Sequence, residues 1–200
     1  MATGAAAPSS ADASSSAATT RRPSLLGVGT VVWLASELMF FAGLFAAYFT
    51  LRSGASTWPP EGVHLATVRT GIATVLLVAS SFTAHGAVAA AERSDRRGAA
   101  RWLIVTMGLG TVFLVNQVLE YAELEFSLST DAYGSIFYLM TGFHGLHVLG
   151  GVLLFGAMIG AVSGRSSRAP TGEVVNASVY YWHFVDVVWV AMFATIYLLR

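Results

Sequence analysis

Long apolar runs separated by short polar segments make up most of this chain. Five runs cover Leu25–Leu51, Val68–Ala91, Trp102–Leu124, Ala132–Val162 and Val174–Leu199. Each exceeds the roughly 20 residues that a helix needs to cross a bilayer, and none shows the period-2 alternation of a membrane strand. The pattern predicts an all-α integral membrane bundle of five transmembrane helices. No connecting segment is long enough to fold as a separate domain.

The segment before the first run has a different composition. Residues 1–24 are rich in Ala, Ser and Thr and lack a periodic apolar face. A segment of this kind cannot bury enough apolar surface to offset the entropy lost on ordering. We therefore expect a disordered tail over 1–24 and one membrane domain over 25–200.

The positions of the arginines predict the orientation of the bundle. All 11 basic residues are Arg. If the N-terminus is cytoplasmic, the inner segments contain eight of them and the outer segments three. Cytoplasmic segments of membrane proteins carry the excess of basic residues. We expect the N-terminal tail in the cytoplasm and the C-terminus outside.

Composition narrows the function classes. Only 11% of the residues are charged, against about 25% in soluble domains. The absence of Cys excludes disulfides, thiolate metal sites and cysteine nucleophiles. The formal net charge is zero, so no overall field attracts a nucleic acid, and we expect no nucleic-acid partner.

The last run contains an imidazole and a carboxylate, His183 and Asp186. An ionisable side chain inside hydrocarbon costs roughly 2.5–3.5 kcal/mol on insertion scales, so it must face protein, a headgroup or water. Positions i and i+3 share one face of a helix. We therefore expect His183 and Asp186 to meet the same neighbour on another helix.

Two other runs carry buried acids. Glu37 lies near the centre of the first run. It is either a neutral acid hydrogen-bonded to a neighbouring helix or part of a proton route or a lipid-facing site. Asn116, Gln117 and Glu120 share one face late in the third run. They form either a polar helix end at the membrane surface or a contact with a partner subunit.

The fourth run carries His144 and His147, which lie on one helix face. Two such imidazoles could bind zinc, copper or haem iron, but the Glu of a zinc-binding H-E-x-x-H helix is absent. Glycines near the pair allow close helix approach; they are Gly142, Gly145, Gly150 and Gly151, and Gly156-x-x-x-Gly160 repeats this pattern further along the run. The small neighbours favour structural hydrogen bonding over a cofactor cavity.

The chain lacks the metal ligands that a redox enzyme of the oxidase type needs. Five histidines are too few for the haem and copper ligands of an oxygen-reducing centre, and a binuclear copper site needs cysteine, which is absent. We therefore expect no catalytic, cofactor-binding or metal-binding residue in this chain. A metal-dependent membrane enzyme using His144, His147 and His183 and a proton channel centred on Glu37 are the alternatives.

Four motifs occur in a fixed order along the runs. They are SELMFFAGLFAAYF (Ser36–Phe49), Gln117-x-x-Glu120-Tyr121 with the acidic segment after it, TGFHGLHVLGG (Thr141–Gly151) and YWHFVDVVWV (Tyr181–Val190). Together they resemble cytochrome c oxidase subunit III, of the haem–copper oxidase subunit III family, in its five-helix actinobacterial form. Seven-helix members of that family have two further N-terminal helices, which form one wall of a lipid-filled cleft.

The resemblance implies a non-catalytic accessory subunit of an aa3-type cytochrome c oxidase in a bacterial plasma membrane. Such a complex oxidises cytochrome c, reduces O2 to water and pumps protons. Haem and copper would lie in partner subunits I and II. The subunit would stabilise subunit I, bind phospholipid, influence proton uptake and join a supercomplex with a cytochrome bc1 complex.

The resemblance also gives the polar residues positions in family motifs. Glu37 matches a buried, carbodiimide-reactive glutamate of the family. His144, His147, His183 and Asp186 match motif positions and are interpreted as interhelical polar contacts without a catalytic role. Subunit III of quinol oxidases and an accessory protein of nitric oxide reductase systems share the five-helix core, and both remain alternatives.

Overall fold

A computed structural model describes residues 25–163 and 172–199, and this part of the chain is helical throughout its regular structure. The helices are α1 Leu25–Gly54, α2 Thr67–Glu92, α3 Arg96–Glu123, α4 Ala132–Ser163 and α5 Gly172–Phe193. All five are long and apolar enough to cross a membrane, which confirms the predicted class of fold. The tail 1–24, expected to be disordered, lies outside the described residues.

Two helices begin at aspartate caps. Asp95 Oδ1 accepts a hydrogen bond from the Gly98 N–H at 2.9 Å, and Asp131 Oδ1 accepts one from the Gly134 N–H at 2.6 Å. A carboxylate at this position satisfies backbone donors that the first helical turn leaves unpaired. Because of the first cap, α3 begins at Arg96, before the apolar run that starts at Trp102.

Four helices close a ring, and the fifth lies outside it. α2 packs on α3, α3 on α4, α4 on α5, and α5 on α2, while α1 packs against α4 and α5. In the most apolar 18-residue stretch of each helix, 56% of the residues are buried for α5, counted to Leu198, and 6% for α1. α5 is therefore the most enclosed helix and α1 the most peripheral.

Trp182 of α5 fills the space between α3 and α4 and is completely buried. A Cβ added at Gly110 or at Gly151 would lie 2.6 Å from the indole ring, so only glycine fits there. The sequence predicted that the α4 glycines allow helices to approach closely; at Gly151 the space is taken by the Trp182 side chain and not by a helix backbone. At Gly145 and Gly160 a Cβ would meet no atom of the described residues within 4 Å.

The C-terminal end of α5 continues into a π-helical turn, Ala194–Leu198. Tyr48 of α1 donates a hydrogen bond from its hydroxyl to the Thr195 carbonyl at 3.2 Å. Trp58, in the loop after α1, donates from Nε1 to the Tyr48 hydroxyl at 2.9 Å. The loop and the segment that follows α5 thus hold the C-terminal end of α1.

Candidate functional site

Apart from His144, the polar side chains singled out in the sequence lie in three clusters between helices. The first is centred on Glu120 of α3, which is 1% exposed. Its Oε2 accepts hydrogen bonds from the Thr70 hydroxyl of α2 and from the Tyr197 hydroxyl at the end of α5, both at 3.0 Å. Asn116 and Gln117 are buried on the same helix, as the predicted shared face requires.

An ion pair borders this first cluster. Arg69 of α2 donates from Nη1 to Glu123 Oε1 of α3 at 2.7 Å, at a position where both side chains are partly exposed. The pair joins the same two helices that Glu120 joins through Thr70. The third run therefore ends in contacts made within the chain itself.

The second cluster lies between α2 and α5. The Ser81 hydroxyl lies 2.8 Å from His183 Nδ1 and donates a short hydrogen bond to Asp186 Oδ2. The prediction that His183 and Asp186 meet one neighbour is confirmed, and that neighbour is Ser81. Because a hydroxyl has a single hydrogen, a bond from Ser81 to Asp186 leaves its oxygen to accept from the His183 Nδ1–H.

Both tryptophans of α5 add to the contacts between α2 and α5, because each donates a hydrogen bond to a hydroxyl group of α2. Trp182 Nε1 donates to Ser80 Oγ at 2.7 Å, and Trp189 Nε1 donates to Thr74 Oγ1 at 2.9 Å. A buried indole N–H needs such a partner. The hydroxyl groups of Ser80, Ser81 and Thr74 on α2 are thus the hydrogen-bond partners of four polar side chains of α5, namely Trp182, His183, Asp186 and Trp189.

The third cluster attaches α1 to the ring of four helices. Glu37 Oε2 lies 3.0 Å from His147 Nε2 of α4, and Glu37 Oε1 accepts from Trp33 Nε1 at 3.1 Å. Tyr181 of α5 donates to the His147 carbonyl at 2.7 Å and stacks on Trp33, with ring centroids 5.0 Å apart. Trp33, Glu37, His147 and Tyr181 form a closed circuit over α1, α4 and α5, which includes the His147 carbonyl and which we call the α1 circuit.

The His147 ring has a hydrogen-bond partner at each of its nitrogens. His147 Nδ1 lies 2.7 Å from the Phe143 carbonyl, which can only accept, so Nδ1 carries a hydrogen. Nε2 then either accepts from a neutral Glu37 or donates to its carboxylate. Both forms pair the two side chains, and the contact with a neighbouring helix that the first hypothesis for Glu37 requires is present.

His144 differs from His147 although both face Phe41. It is completely buried and stacks on Trp189 of α5 with ring centroids 4.8 Å apart, and it meets Phe113 of α3 edge-on at 5.8 Å. Within the described ranges neither ring nitrogen has a hydrogen-bond partner. The expected interhelical polar contact of His144 is not formed among the described residues, and ring contacts with Trp189 and Phe113 take its place.

The three histidines of the metal-enzyme hypothesis have separate partners. His144 packs on Trp189, whereas His147 is hydrogen-bonded to Glu37 and His183 to Ser81. In the part of the chain that the structure describes, no three His, Asp or Glu side chains come together as metal ligands would. The three histidines instead make ring contacts and hydrogen bonds between helices.

Comparison with known proteins places this fold and these motifs in a family. A family model described as "Cytochrome c oxidase subunit III" matches residues 13–200. The chain belongs to the cytochrome c oxidase subunit III family. It is 47% identical over 185 residues to "Probable cytochrome c oxidase subunit 3" of Nocardia farcinica, covering 90% of each protein.

Further subunit III relatives agree with this assignment. A protein of Mycobacterium tuberculosis with the same description is 47% identical over 184 residues, again covering 90% of both chains. "Cytochrome c oxidase subunit 3" of Corynebacterium diphtheriae is 43% identical over 185 residues, with the same coverage. The five apolar helices and the subunit III family together imply a multi-pass membrane protein.

The sequence did not identify the partners of the predicted polar residues. These are hydroxyl or indole side chains within apolar runs: Trp33, Thr70, Ser81 and Tyr197. One signal was available, because α2 carries Thr70, Thr74, Ser80, Ser81 and Thr83 in an otherwise apolar stretch. Such residues form hydrogen bonds between membrane helices.

Proposed function

We propose that this chain is a non-catalytic accessory subunit of an aa3-type cytochrome c oxidase. It supports electron transfer from cytochrome c to O2, with proton pumping, by stabilising the subunit that carries the redox centres. Membership of the subunit III family supports the proposal, and so does the agreement with relatives described as cytochrome c oxidase subunit 3.

One observation carries the accessory role. Glu37, Glu120, His147, His183 and Asp186 all have hydrogen-bond partners on other helices of the same chain. Ionisable groups in a membrane are costly and mark either function or structural pairing. Here the pairing accounts for their presence, and they act as links of a helical scaffold.

The assembly around this scaffold is part of the proposal. Subunits I and II hold the haem and copper, phospholipid covers the apolar faces, and a cytochrome bc1 complex joins in a supercomplex. The N-terminus is cytoplasmic and the C-terminus lies outside a bacterial plasma membrane, in accord with the arginine distribution. Glu37 influences proton uptake through its position in the α1 circuit.

Purification of the tagged chain from its native membrane tests the proposal. We expect subunits I and II to copurify, with a subunit II that carries copper-binding cysteines. A subunit II without them would assign the chain to a quinol oxidase. Copurification with a nitric oxide reductase would assign it to that system. Stoichiometric haem, copper or zinc in the chain separated from its partners would contradict the accessory role.

Glu37→Gln tests the role of the buried acid. We expect oxygen reduction by the assembled complex to stay near the wild-type rate, because no redox centre loses a ligand. The measurement is oxygen consumption per haem of purified complex, with His64→Gln, in the loop before α2, as the matched control. Complete loss of turnover in a fully assembled Glu37→Gln complex would contradict the assignment.

A further inference from the structure

An open pocket of about 340 Å³ lies at the turn between α2 and α3. Arg93, at the end of α2, and Arg101, in the second turn of α3, both line it. Trp102 and Val105 form its apolar part. None of these residues belongs to the three polar clusters, so the pocket is separate from the contacts that hold the helices together.

The turn that shapes the pocket has a defined backbone. Ser94 adopts a left-handed conformation with φ of 59°. The Ser94 N–H donates to the Ala91 carbonyl at 2.9 Å, and the Asp95 N–H donates to the Ala90 carbonyl at 3.0 Å. This pair of bonds is the Schellman ending of a helix. Together with the Asp95 cap of α3, it fixes where Arg93 and the start of α3 stand relative to each other.

The pocket has an excess of positive charge. The segment Glu92–Arg101 contains four arginines, Arg93, Arg96, Arg97 and Arg101, against Glu92 and Asp95. Within the described ranges the ion pairs within 4 Å are Arg69–Glu123 and His147–Glu37, so none of these four arginines has a carboxylate partner there. Asp95, which also lines the pocket, accepts from the Gly98 N–H. Arg101 donates from Nε to the Arg97 carbonyl at 3.4 Å, and no carboxylate of the described residues neutralises its charge or that of Arg93.

The pocket also continues along the apolar surface of α3. Trp102 is 43% exposed and Val105 is 45% exposed, and both lie further into the apolar run than Arg101. A soluble anion would use only the arginines. A molecule with a phosphate at one end and a hydrocarbon chain at the other would use both parts, with the indole ring at headgroup depth as is common for Trp.

We infer that this pocket binds the headgroup of an anionic phospholipid, with the phosphate at Arg93 and Arg101 and an acyl chain along Trp102 and Val105. Arginine suits a phosphate because its planar fork donates two hydrogen bonds at once. Basic pockets between helices on the cytoplasmic side are where anionic headgroups bind. The inference rests on the proposed orientation, which puts the α2–α3 turn on the cytoplasmic side of a membrane, and it is independent of the proposed oxidase role.

Quenching of Trp102 by brominated lipid tests the inference. The full chain is placed in phosphatidylcholine nanodiscs that contain increasing amounts of brominated phosphatidylglycerol or brominated phosphatidylcholine. Subtracting the quenching of Trp102→Phe isolates one of the five tryptophans. We expect Trp102 to be quenched at roughly 25-fold less phosphatidylglycerol than phosphatidylcholine, because each of the two arginines contributes about fivefold to binding.

Two double variants show whether phosphatidylglycerol binds at the two arginines of the pocket or responds only to the total positive charge of the turn. Arg93→Gln with Arg101→Gln should weaken phosphatidylglycerol binding about 25-fold, since about 1 kcal/mol per arginine is about fivefold each. Arg96→Gln with Arg97→Gln removes the same charge from the same turn without touching the pocket lining. We expect that control to weaken binding less than fivefold.

Three outcomes would overturn the inference. They are equal weakening by the two double variants, no preference for phosphatidylglycerol in the wild-type chain, and loss of the preference on adding inorganic phosphate at constant ionic strength. The last would assign the pocket to a soluble anion. If circular dichroism shows that the first double variant loses helix, Arg101→Gln alone is measured, and roughly fivefold weakening is expected.

Discussion

α5 and α1 are both long apolar helices, but they are held in the protein by different means. α5 contacts α1, α2 and α4 and buries both its tryptophans and Asp186. α1 contacts α4 and α5 and leaves most of its apolar side chains exposed. Since lipid is as apolar as leucine, burial alone does not attach a helix in a membrane. α5 is held by close packing over its length, and α1 by a few directed contacts.

The stability of α5 and that of α1 should therefore respond differently to substitutions. Removing volume from the surroundings of α5 leaves a cavity that lipid cannot reach, and this is costly because packing is the main attraction between membrane helices. Removing a contact from α1 exposes surface that lipid can cover. Equal substitutions should therefore destabilise the protein more around α5 than around α1.

The largest contrast is expected between two tryptophans. Trp182 of α5 is fully buried and Trp33 of α1 is 46% exposed, yet each donates one side-chain hydrogen bond. Trp182→Ala should lower the free energy of unfolding by about 3–5 kcal/mol, and Trp33→Ala by about 1 kcal/mol. Loss of helical circular dichroism on heating the purified complex measures both. Equal losses would contradict the comparison.

Two glycines of α4 test the packing next. A methyl group at Gly151 would overlap the enclosed ring of Trp182, whereas at Gly160 it would enter open space. Gly151→Ala should cost about 1–3 kcal/mol through overpacking. Gly160→Ala should change the unfolding free energy by less than about 0.5 kcal/mol, in the same denaturation assay. A stable Gly151→Ala protein would mean that α5 can move away from α4.

Two serines test the polar contacts. Ser81→Ala leaves His183 and Asp186 without their shared partner and should cost about 1–2 kcal/mol. Ser36 of α1 is exposed and bonds to the Trp33 carbonyl of its own helix, so Ser36→Ala should cost less than about 0.5 kcal/mol. Yield of assembled complex and unfolding temperature serve as measures. A larger loss for Ser36→Ala would reverse the ranking of the two helices.

The smallest effect is expected within the α1 circuit. A double-mutant cycle of Glu37→Ala and His147→Ala should give a coupling of about 0.6 kcal/mol, the average for hydrogen bonds between membrane helices. The same assay applied to Glu37→Ala with Ser80→Ala, which belongs to another cluster, should give no coupling. Additive effects for Glu37 and His147 would exclude a direct interaction.

The sequence predicted the helices well because apolar length depends only on local composition. It predicted the start of α3 less well, since hydropathy marks where lipid begins and not where the backbone becomes helical. The arginines from Arg96 onward continue the helix into the polar region. Asp95, which caps it, carries no hydropathy signal of a helix start.

The sequence predicted the candidate site only in part. The spacing of His183 and Asp186 showed that they share a neighbour, but the identity of Ser81 depends on which helices are adjacent. Spacing also suggested that His144 and His147 act alike. The structure separates them because Trp189 covers the first ring while Glu37 reaches the second. Such differences depend on packing between distant segments.

The α1 circuit has a consequence for membrane insertion. Its members Trp33, Glu37, His147 and Tyr181 meet only when α1 stands at one height and one rotation against α4 and α5. A slip of α1 by one turn, about 5.4 Å, would separate Glu37 from His147 and Trp33 from Tyr181 together, although the apolar surface in contact would hardly change. The circuit therefore gives a loosely packed helix a single vertical register.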